Sequence, residues 1–547
     1  MYFRIKKHKN KEGQVREYLC VAETFRDNGK VRQKTLANLG RLDELRASGN
    51  LERLAAKLNE FVGKRELVDL AKDIKADWAK HFGVIQVLKA VWKKLDISRI
   101  LLKEGEASRQ EYCFEEAIQA MVINRLVKPA SKLETDRWKD EAVWEPAWEA
   151  LNLQHFYRAM DYLVEHKDRI EETLLKRRDD LFGKQLDIVL FDTTTIKYWG
   201  EHSASELLKY GYSKEKRMDL KQIIIGVLMS KEGVPLAHEV WEGNQSAMES
   251  LKVVVSRLRD RFDIKKVILV CDRGMVSAKN LKELEDAGYE YIVGVKMRSL
   301  DEQKKRELLG EVGFEEIRED LWVKEKKYEG HRYLICHNPR EAAVEAKKRE
   351  YFKQIMERKI MDYTFKDWIV KNGYKKYVKI EGKDWQIAMD YERLEEEQIF
   401  DGKWVLLTNT EYSSKECALY YKSLSQIEQG FRALKSEIET GPIYHWTSRR
   451  IRGHVFICFL ALVVKVAFEK AIEKLDPKAV YSEVLRALKQ VKATMIRVKD
   501  RQMILRTALP EKAHLGFTAA GIRTPGDLLY LSPENVVPTS ARISVTH

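Results

Sequence analysis

The spacing of hydrophobic and polar residues changes along the chain and divides it into segments. Short alternating runs near the N-terminus are broken by turn residues, among them Asn28-Gly29, a pair that is common in β-hairpins. Apolar residues then recur every three or four positions, with lysine and arginine between them. The pattern predicts a basic β-hairpin region over residues 1–45 and a helical region with basic faces over residues 46–182.

Largely apolar runs, which are typical of buried strands, begin after residue 183. Leu186–Asp192 and Lys266–Asp272 each end on a carboxylate. Between them, Gln222–Met229 and Val234–Trp241 are strand candidates joined by a Lys-Glu-Gly turn. This order predicts a mixed α/β sheet whose second and third strands form a hairpin, and its first part spans residues 183–297. The other elements predicted there are helices at 246–262 and 277–287 and a strand at 289–295.

A long mixed segment then interrupts the sheet pattern. Residues 298–410 combine strand-like pieces with a charged helix, which favours a β-rich insertion domain. The second part of the core follows over residues 411–475 and contains a predicted long helix, Lys415–Glu439. The apolar run Val455–Val464 has about half the length that a bilayer crossing needs, so we expect a buried helix. A helical C-terminal region over residues 476–547 is a candidate for dimerisation.

Composition and charge limit the possible functions. The chain has 547 residues, 44% hydrophobic and 34% charged, so several folded domains are expected. A formal net charge of +14 favours a polyanionic partner such as nucleic acid, or with less support an anionic membrane surface. Six scattered cysteines without a Cys-x-x-Cys pair fit neither a disulfide framework nor a thiolate zinc site. With no apolar signal core at the N-terminus, a reducing cytosol is the expected compartment.

Two aspartates stand at the ends of predicted central strands, where α/β proteins commonly build their active sites. If the two strands are neighbours, Asp192 and Asp272 lie side by side. For either aspartate alone, a turn or a helix cap is the more common role. Two aspartates on adjacent strands of a basic chain make a catalytic role equally plausible.

A third carboxylate, Glu428, belongs to the helix predicted at 415–439. Tyr421, Glu428 and Lys435 are spaced by seven and seven residues, which places them on one helix face. Arg432 follows Glu428 by four residues, so an ordinary ion pair on an exposed helix is the alternative. A neighbouring apolar stripe would press this helix against the sheet. The stripe consists of Ile427, Phe431 and Leu434.

Three carboxylates from two strands and a helix are hard oxygen ligands suited to Mg²⁺, or to Mn²⁺ in its place. Two such ions about 4 Å apart can activate water or a 3′-hydroxyl and stabilise the leaving oxygen in a phosphodiester displacement. The carboxylates therefore indicate metal-dependent chemistry on a nucleic acid.

These residues, in this order, resemble the DDE transposases of prokaryotic insertion sequences. The resemblance is to the group whose third acid lies in a Tyr-x2-Arg-x3-Glu-x6-Lys helix, and it covers most of the chain. The ordered set of motifs is more specific than any one of them. The motifs are Phe191-Asp192-Thr-Thr-Thr195, Gly211-Tyr-Ser-Lys, Gly243-Asn244, Asp272-Arg273-Gly274-Met275 with Ser277, the Tyr421/Glu428/Lys435 helix, Pro442-Ile-Tyr-His445-Trp and Arg450-Ile-Arg-Gly-His454. The N-terminal hairpin and Lys128-Pro-Ala-Ser-Lys132 resemble the subgroup with an extended N-terminal region.

The resemblance implies an RNase H-like mixed sheet core interrupted by a β-rich insertion domain, preceded by a basic β-hairpin and a helical DNA-binding region. It makes Asp192, Asp272 and Glu428 the catalytic triad, which would bind the two Mg²⁺ ions. Tyr421 and Lys435 would contact phosphates at the cleaved DNA end. In related transposases an aromatic side chain of the insertion stacks on a flipped base. The candidates here are Trp322, Trp368, Trp385 and Trp404.

The sequence departs from the family pattern at Leu424, where the family has arginine. The DNA contact of that arginine would then come from Lys422 or Arg432. Arg273 would orient a phosphate or a triad carboxylate, with a structural salt bridge as an equal alternative. His454 would touch DNA or the active-site helix, although a packed, hydrogen-bonded histidine is the more common role.

The expected function is that of a transposase. The protein would bind the terminal inverted repeats of an insertion sequence, cleave the DNA with two metal ions and join the ends to target DNA. It would act as a homodimer on paired double-stranded ends, in the prokaryotic cytoplasm with the nucleoid and without a membrane. Two alternatives stay open: an RNase H-fold DNA endonuclease without strand transfer, and an inactive or domesticated sequence-specific DNA-binding protein. Acids at all three triad positions argue against the latter.

Overall fold

The computed structural model describes residues 1–9, 13–27, 30–62, 72–105, 113–182, 188–200, 204–211, 219–245, 268–271, 278–286, 288–310, 312–358, 377–381, 386–498 and 501–532. These residues belong to two compact units. Of the described residues, the smaller unit contains 1–79, 494–505 and 527–532. The larger unit contains residues 80–493 and 506–526, and with them every candidate site residue that the structure describes.

The described residues form eighteen strands and sixteen α-helices. The strands are β1 (Tyr2–Lys9), β2 (Val15–Asp27), β3 (Lys30–Arg41), β4 (Ile74–His81), β5 (Ile188–Lys197), β6 (Gln222–Ser230), β7 (Pro235–Glu242), β8 (Ile268–Cys271), β9 (Glu290–Val295), β10 (Glu315–Arg318), β11 (Leu321–Tyr328), β12 (His331–His337), β13 (Val378–Glu381), β14 (Gln386–Met389), β15 (Lys403–Thr408), β16 (Lys492–Val498), β17 (Arg501–Arg506) and β18 (Leu528–Leu531).

The helices are α1 (Leu42–Ala47), α2 (Asn50–Val62), α3 (Gly83–Lys94), α4 (Ile97–Gly105), α5 (Phe114–Val127), α6 (Lys132–Ala142), α7 (Leu153–Phe182), α8 (Ala278–Asp286), α9 (Glu302–Leu309), α10 (Pro339–Arg358), α11 (Tyr391–Gln398), α12 (Ser414–Lys422), α13 (Leu424–Arg432), α14 (Ser448–Leu475), α15 (Tyr481–Gln490) and α16 (Glu511–Ala520). A π-helical turn, Ala433–Glu437, follows α13.

The N-terminal alternation forms an antiparallel three-stranded sheet in the order β1-β2-β3. Asp27 pairs with Lys30 across the predicted turn Asn28-Gly29, and these two turn residues lie outside the described part. Arginine and lysine cover much of the exposed surface of β1 and β3. The smaller unit therefore begins with a basic β sheet, as the alternation predicts.

A second sheet has the order β18-β17-β16-β4 and joins segments that are far apart in sequence. The structure differs here from the expected helical C-terminal region, which contains β16, β17 and β18 besides α15 and α16. Lys492–Val498 alternates polar and apolar residues only from Lys492 to Met495, and its pairing with distant segments makes it a strand.

The helical region packs around one core in the larger unit. Every residue of α5 except Glu116 is buried, so this helix is the centre of a bundle with α3, α7 and α14 rather than a surface helix. The apolar centre of α14, Val455–Val464, is buried, which confirms the expected buried helix. No helix among the described residues is long and apolar enough to cross a membrane.

The central element of the larger unit is a nine-stranded sheet in the order β10-β11-β12-β15-β9-β8-β5-β6-β7. β5 pairs antiparallel with β6 and β6 with β7, whereas β5, β8 and β9 are parallel to one another. The predicted mixed sheet and its hairpin are therefore confirmed. The helix predicted at 246–262 lies outside the described residues.

The strands expected in a separate insertion extend the central sheet instead. β10, β11, β12 and β15 continue it beyond β9, and β15 pairs antiparallel with β9. Between β12 and β15 the chain forms α10, a two-stranded sheet of β13 and β14, and α11. Apolar β11, β12 and β15 side chains complete the core on both faces of the sheet, which accounts for their joining it.

Candidate active site

Asp192 lies within a strand rather than at its end. β5 continues to Lys197 because the residues after Asp192 are β-branched and pair with β6 as far as Gln222. The parallel neighbour β8 pairs with β5 only from Ile188 to Leu190, so Asp192 lies beyond the described pairing of the two strands. The backbone N–H of Thr193 donates to Asp192 Oδ1 at 2.7 Å, and the carboxylate is half-buried.

Alternation along β5 identifies the face on which Asp192 lies. Leu190 and Ile196 belong to the larger core cluster, whereas Val189 and Phe191 belong to the cluster on the other face. Side chains two residues apart share a face, so Asp192 lies on the same face as Leu190. The larger cluster also contains the buried side chains of α13. Asp192 is thus on the face against which α13 packs.

Glu428 is exposed on α13. The predicted apolar stripe is confirmed, since Ile427, Phe431 and Leu434 are all buried. Gly430 brings the helix close to β6, because a Cβ at this position would lie 2.3 Å from Met229 Cε. Glu428 makes no hydrogen bond or ion pair with any residue that the structure describes, including Arg432. The ion-pair alternative therefore has no support among these residues.

Asp272 and Arg273 lie outside the described residues. The last described residue before them is Cys271, which ends β8. Among the described residues there is no group of three or more histidine, cysteine, aspartate or glutamate side chains that could hold a metal ion. The triad and its metal ions therefore stay a prediction.

The expected long helix is divided into three segments. α12 ends at Lys422, α13 begins at Leu424, and the π-helical turn carries Lys435. Ser423 Oγ donates to the Leu419 carbonyl at 3.2 Å where the first two segments meet. Tyr421 is half-buried against the larger core, and Lys435 is half-buried in the π turn. The seven-residue spacing thus runs over consecutive segments and not along one straight helix.

The two basic residues that could replace the family's arginine differ in their surroundings. Lys422 Nζ lies 2.7 Å from Asp320 Oδ2, and its hydrogen bond is the main cause of the lowered pKa of Asp320. Arg432 is exposed and has no side-chain partner among the described residues. Leu424 packs against the larger core. Of the two cations, Arg432 is thus the more available for a ligand.

A family comparison identifies the chain. The model of the transposase DDE domain matches residues 183–464, which is more than half of the chain. The chain belongs to the DDE transposase family. Residues 3–69 of this transposase match the N-terminal domain of IS1634 family transposases. No curated protein matches the chain in a sequence comparison.

A comparison with solved structures also finds transposases of low similarity. One is the piggyBac transposase synaptic complex with hairpin DNA, at 10% identity and a TM-score of 0.36, over 76% of this chain and 82% of that one. The Mos1 paired-end complex with the left transposon end has 9% identity and a TM-score of 0.14, over 34% of this chain and 60% of that one. The Mos1 mariner paired-end complex with Mn has 13% identity and a TM-score of 0.15, over 34% of this chain and 59% of that one.

His454 of this transposase is a core residue. It is 4% exposed, and its Nε2 lies 2.9 Å from the Thr440 carbonyl oxygen. Burial, together with the nearby charges of Arg125 and Lys132, lowers the pKa of His454 well below its usual value. The structure thus favours the packed, hydrogen-bonded histidine over a DNA contact.

Two buried cations next to His454 have no predicted role from the sequence. Arg125 donates to the Glu439 carbonyl at 3.1 Å and to the Ala130 carbonyl at 2.5 Å, and so connects α5 to the segment that follows the π turn. Lys132 is 3% exposed, and burial lowers its pKa to about 7. The only sequence signal was the motif Lys128-Pro-Ala-Ser-Lys132, which contains Lys132.

The predicted base-stacking tryptophans have different environments. Trp322 contacts the His337 ring edge to face and lines a groove of about 850 Å³ beside α10. Trp404 packs against the larger core, with Lys422 Nζ 5.9 Å from its ring centroid. Trp368 and Trp385 lie outside the described residues.

Proposed function

We propose that this DDE transposase performs cut-and-paste transposition of an insertion sequence. It binds the terminal inverted repeats, cleaves the DNA there and joins the freed 3′-hydroxyls to target DNA. The observation that carries this proposal is the placement of two acids. Asp192 lies on the sheet face that α13 covers, and Glu428 is exposed on α13.

Asp272 completes the proposed triad. In the parallel ladder Leu190 pairs with Val270, and each is followed two residues later in the sequence by an aspartate, Asp192 and Asp272. Equal offsets along parallel strands in register bring side chains next to each other. The ladder therefore supports the sequence-based expectation that these carboxylates are neighbours.

We further infer an RNase H-like core from the order β7-β6-β5-β8-β9. Its first three strands, β5, β6 and β7, are antiparallel neighbours. β8 and β9 lie parallel to β5, on the side of β5 opposite β6. Residues 298–410 are then the family's insertion, although four of its strands extend the core sheet. Asp192 is on the central strand of this arrangement.

The donor set fits two Mg²⁺ ions, or Mn²⁺ ions, because all three acids offer hard carboxylate oxygens. Asp192, Asp272 and Glu428 would hold the ions, which when bound activate the attacking hydroxyl and stabilise the leaving oxygen. The protein's own contribution is orientation. The Thr193 N–H restrains the Asp192 carboxylate, and the buried stripe of α13 fixes the direction of Glu428.

Arg432 is the proposed substitute for the family's arginine. It is exposed one helical turn after Glu428, whereas Lys422 is paired with Asp320. An arginine there can bind a phosphate with two parallel hydrogen bonds. Tyr421 and Lys435, before and after it, would contact phosphates of the same DNA end. The protein acts on double-stranded DNA as a homodimer that holds two ends.

The test is a cleavage assay with purified protein, Mg²⁺ and a labelled duplex carrying the ends of the element. Asp192→Asn and Glu428→Gln should abolish cleavage and joining, because each removes a metal-binding oxygen, and should leave end binding intact. Glu395→Gln is the matched control, since Glu395 is an exposed glutamate on α11. Fluorescence anisotropy with the same duplex measures binding.

Each result has a defined consequence. Cleavage by the Glu428→Gln variant at the wild-type rate would remove Glu428 from the triad. Wild-type cleavage without joined products would identify an endonuclease. Specific end binding without any metal-dependent cleavage would identify a DNA-binding protein that has lost its activity.

A further inference from the structure

We propose that four exposed aromatic residues next to the end of β5 bind unpaired bases of the DNA substrate by stacking. The residues, here called the aromatic strip, are Trp199, Tyr210, Tyr444 and Trp446. The inference rests on the proposed function in taking DNA as the ligand and Asp192 as part of the cleavage site. It concerns a surface outside the predicted insertion and away from the proposed triad.

The strip is unusually exposed for its residue types. The four side chains are 53%, 60%, 67% and 58% exposed in the order given. Large aromatic side chains are usually mostly buried, and an exposed apolar group of this kind commonly marks a binding surface. The four exposed side chains are two tryptophans and two tyrosines, whose flat rings suit bases.

The backbone places three of the four residues next to each other. Tyr198 and Ile443 form a parallel β-bridge and are both buried. The next residue in each segment, Trp199 or Tyr444, therefore points to the opposite, solvent side. Trp446 is two residues beyond Tyr444 and shares its side by the same alternation.

Main-chain hydrogen bonds hold the strip in place. The Trp199 N–H donates to the Ile443 carbonyl at 3.2 Å, and the Ala204 N–H donates to the Trp446 carbonyl at 3.1 Å. Thr447, directly after the strip, caps α14 through its side-chain oxygen. Side chains on an ordered backbone lose less conformational entropy on binding than those on a segment that must first become ordered.

The charges next to the strip suit a nucleic acid. Lys221 Nζ lies 5.9 Å from the Tyr210 ring centroid, and the Lys221 carbonyl accepts the Tyr198 N–H at 2.9 Å. Lys209, directly before Tyr210, is exposed. Cations beside flat rings complement phosphates beside bases. A second protein copy would meet rings bordered by lysines, which are depleted at protein interfaces.

The strip is also within reach of the cleavage position. Trp199 follows Asp192 by seven residues. An extended chain rises about 3.3 Å per residue, so the two Cα atoms are at most about 23 Å apart. With a rise of about 3.4 Å per nucleotide, the stacked bases would lie within about seven nucleotides of the cleaved phosphodiester.

The experiment compares a ten-nucleotide oligothymidylate with an abasic strand of equal length and charge, in metal-free buffer, using the full-length protein. Wild type should prefer the strand with bases by about tenfold or more, because only that strand can stack. The double variant Trp199→Ala/Trp446→Ala should lose the preference and keep its affinity for the abasic strand. Trp199→Phe/Trp446→Phe should retain it.

The control variant is Tyr351→Ala/Tyr391→Ala, which removes two aromatic residues that are equally exposed elsewhere. It should behave as wild type. Equal affinity of wild type for the two strands, or an unchanged preference in the double alanine variant, would overturn the proposal. So would a loss of self-association in sedimentation with no change in oligonucleotide binding, since a second copy would then cover the strip.

This test is independent of catalysis. Glu428→Gln should keep the preference for bases, because the assay contains no metal ion and scores no cleavage. If the strip variants bind as wild type while the acid variants lack cleavage, only the strip proposal fails. If the preference is present but wild type never cleaves DNA, only the proposed transposition chemistry fails.

Discussion

Two glycines from separate sequence motifs, Gly211 and Gly243, lie against each other beside Gln222. A Cβ on Gly211 would be 2.1 Å from the Gly243 carbonyl oxygen, and a Cβ on Gly243 would be 2.1 Å from the Gln222 carbonyl oxygen. Gln222 Nε2 donates to the Gly243 carbonyl at 2.8 Å. Both contacts are with backbone, which cannot move as a side chain can. Glycine is therefore required for this close approach.

Gly243→Ala should destabilise the larger unit by about 1–3 kcal/mol or more, because the added methyl group overpacks against a strand. The midpoint of urea unfolding measures the loss. Gly526→Ala is the matched control, since a Cβ there has no neighbour within 4 Å. If Gly243→Ala and Gly526→Ala unfold at the same urea concentration, the backbone segments at Gly211 and Gly243 are farther apart than the structure shows.

The buried lysine Lys132 makes stability depend on pH. Burial lowers its pKa in the folded chain from the ordinary 10.5 to about 7. Between these two pH values the side chain of Lys132 is protonated in the unfolded chain but not in the folded chain. The free energy of unfolding therefore rises with pH from about 7 to about 10. Below pH 7 Lys132 is protonated in both the folded and the unfolded chain, and the cost of its buried charge lowers the stability of the folded chain in full.

Lys132→Met should therefore raise the thermal midpoint at pH 7, and its advantage over wild type should shrink towards pH 10. Differential scanning calorimetry at several pH values measures this difference. Lys93→Met removes an exposed lysine of α3 and should show no such trend. A constant difference between Lys132→Met and wild type at every pH would contradict the explanation.

The sequence predicted the candidate residues better than their environments. Asp192 and the buried stripe beside Glu428 followed from hydrophobic runs, which report local burial. For His454 the sequence offered a packed, hydrogen-bonded role as the more common one, but it did not identify the Thr440 carbonyl as its partner or Arg125 as a neighbouring charge. The aromatic strip was also missed, since Tyr444 and Trp446 were noted only as part of a motif.

At the level of elements, α13 depends on the small size of Gly430. Its close contact with Met229 allows the helix to approach β6, and the approach determines where Glu428 projects. The Met229 methyl group ends a flexible side chain and can move aside for part of an added side chain, so Gly430→Val should lower cleavage by about tenfold, equivalent to about 1.4 kcal/mol of overpacking strain. End binding should be unchanged.

The rescue variant is Gly430→Val/Met229→Ala, which vacates the space that valine would enter. Partial recovery of the cleavage rate in a single-turnover assay is the expected result. If circular dichroism shows that both variants are folded but the double variant does not recover cleavage, the effect of Gly430→Val does not arise from its contact with Met229.

Element boundaries show what hydrophobic periodicity can and cannot report. The period of the helix predicted at 415–439 is correct, yet the break at Ser423 and the π turn at Ala433–Glu437 leave no clear trace in the sequence. Glu-Glu-Ile-Arg at β10 contains a single apolar residue, and only its pairing with β11 shows that it extends the central sheet. Pairing partners are a tertiary property, and a single sequence does not record them.

For the whole molecule, the net charge of +14 predicts a steep salt dependence. If about six to ten phosphates are contacted, affinity for the terminal duplex should fall by about 10³–10⁵-fold between 50 and 200 mM salt. Anisotropy titrations over that range measure the slope. Glu428→Gln should have the same slope, whereas a flat dependence would exclude a phosphate-dominated interface.

The nine-stranded sheet has two edges among the described residues, β10 and β7. β10 is four residues long, carries Glu315, Glu316 and Arg318, and has a register shift. β7 is buried over almost its whole length, and Lys167 of α7 contacts both Glu239 of β7 and Glu171. Short charged edges and covered edges both prevent strands of another chain from adding to a sheet. Addition of a strand from another chain to this sheet is therefore disfavoured, and newly made chains would be protected from aggregation through it.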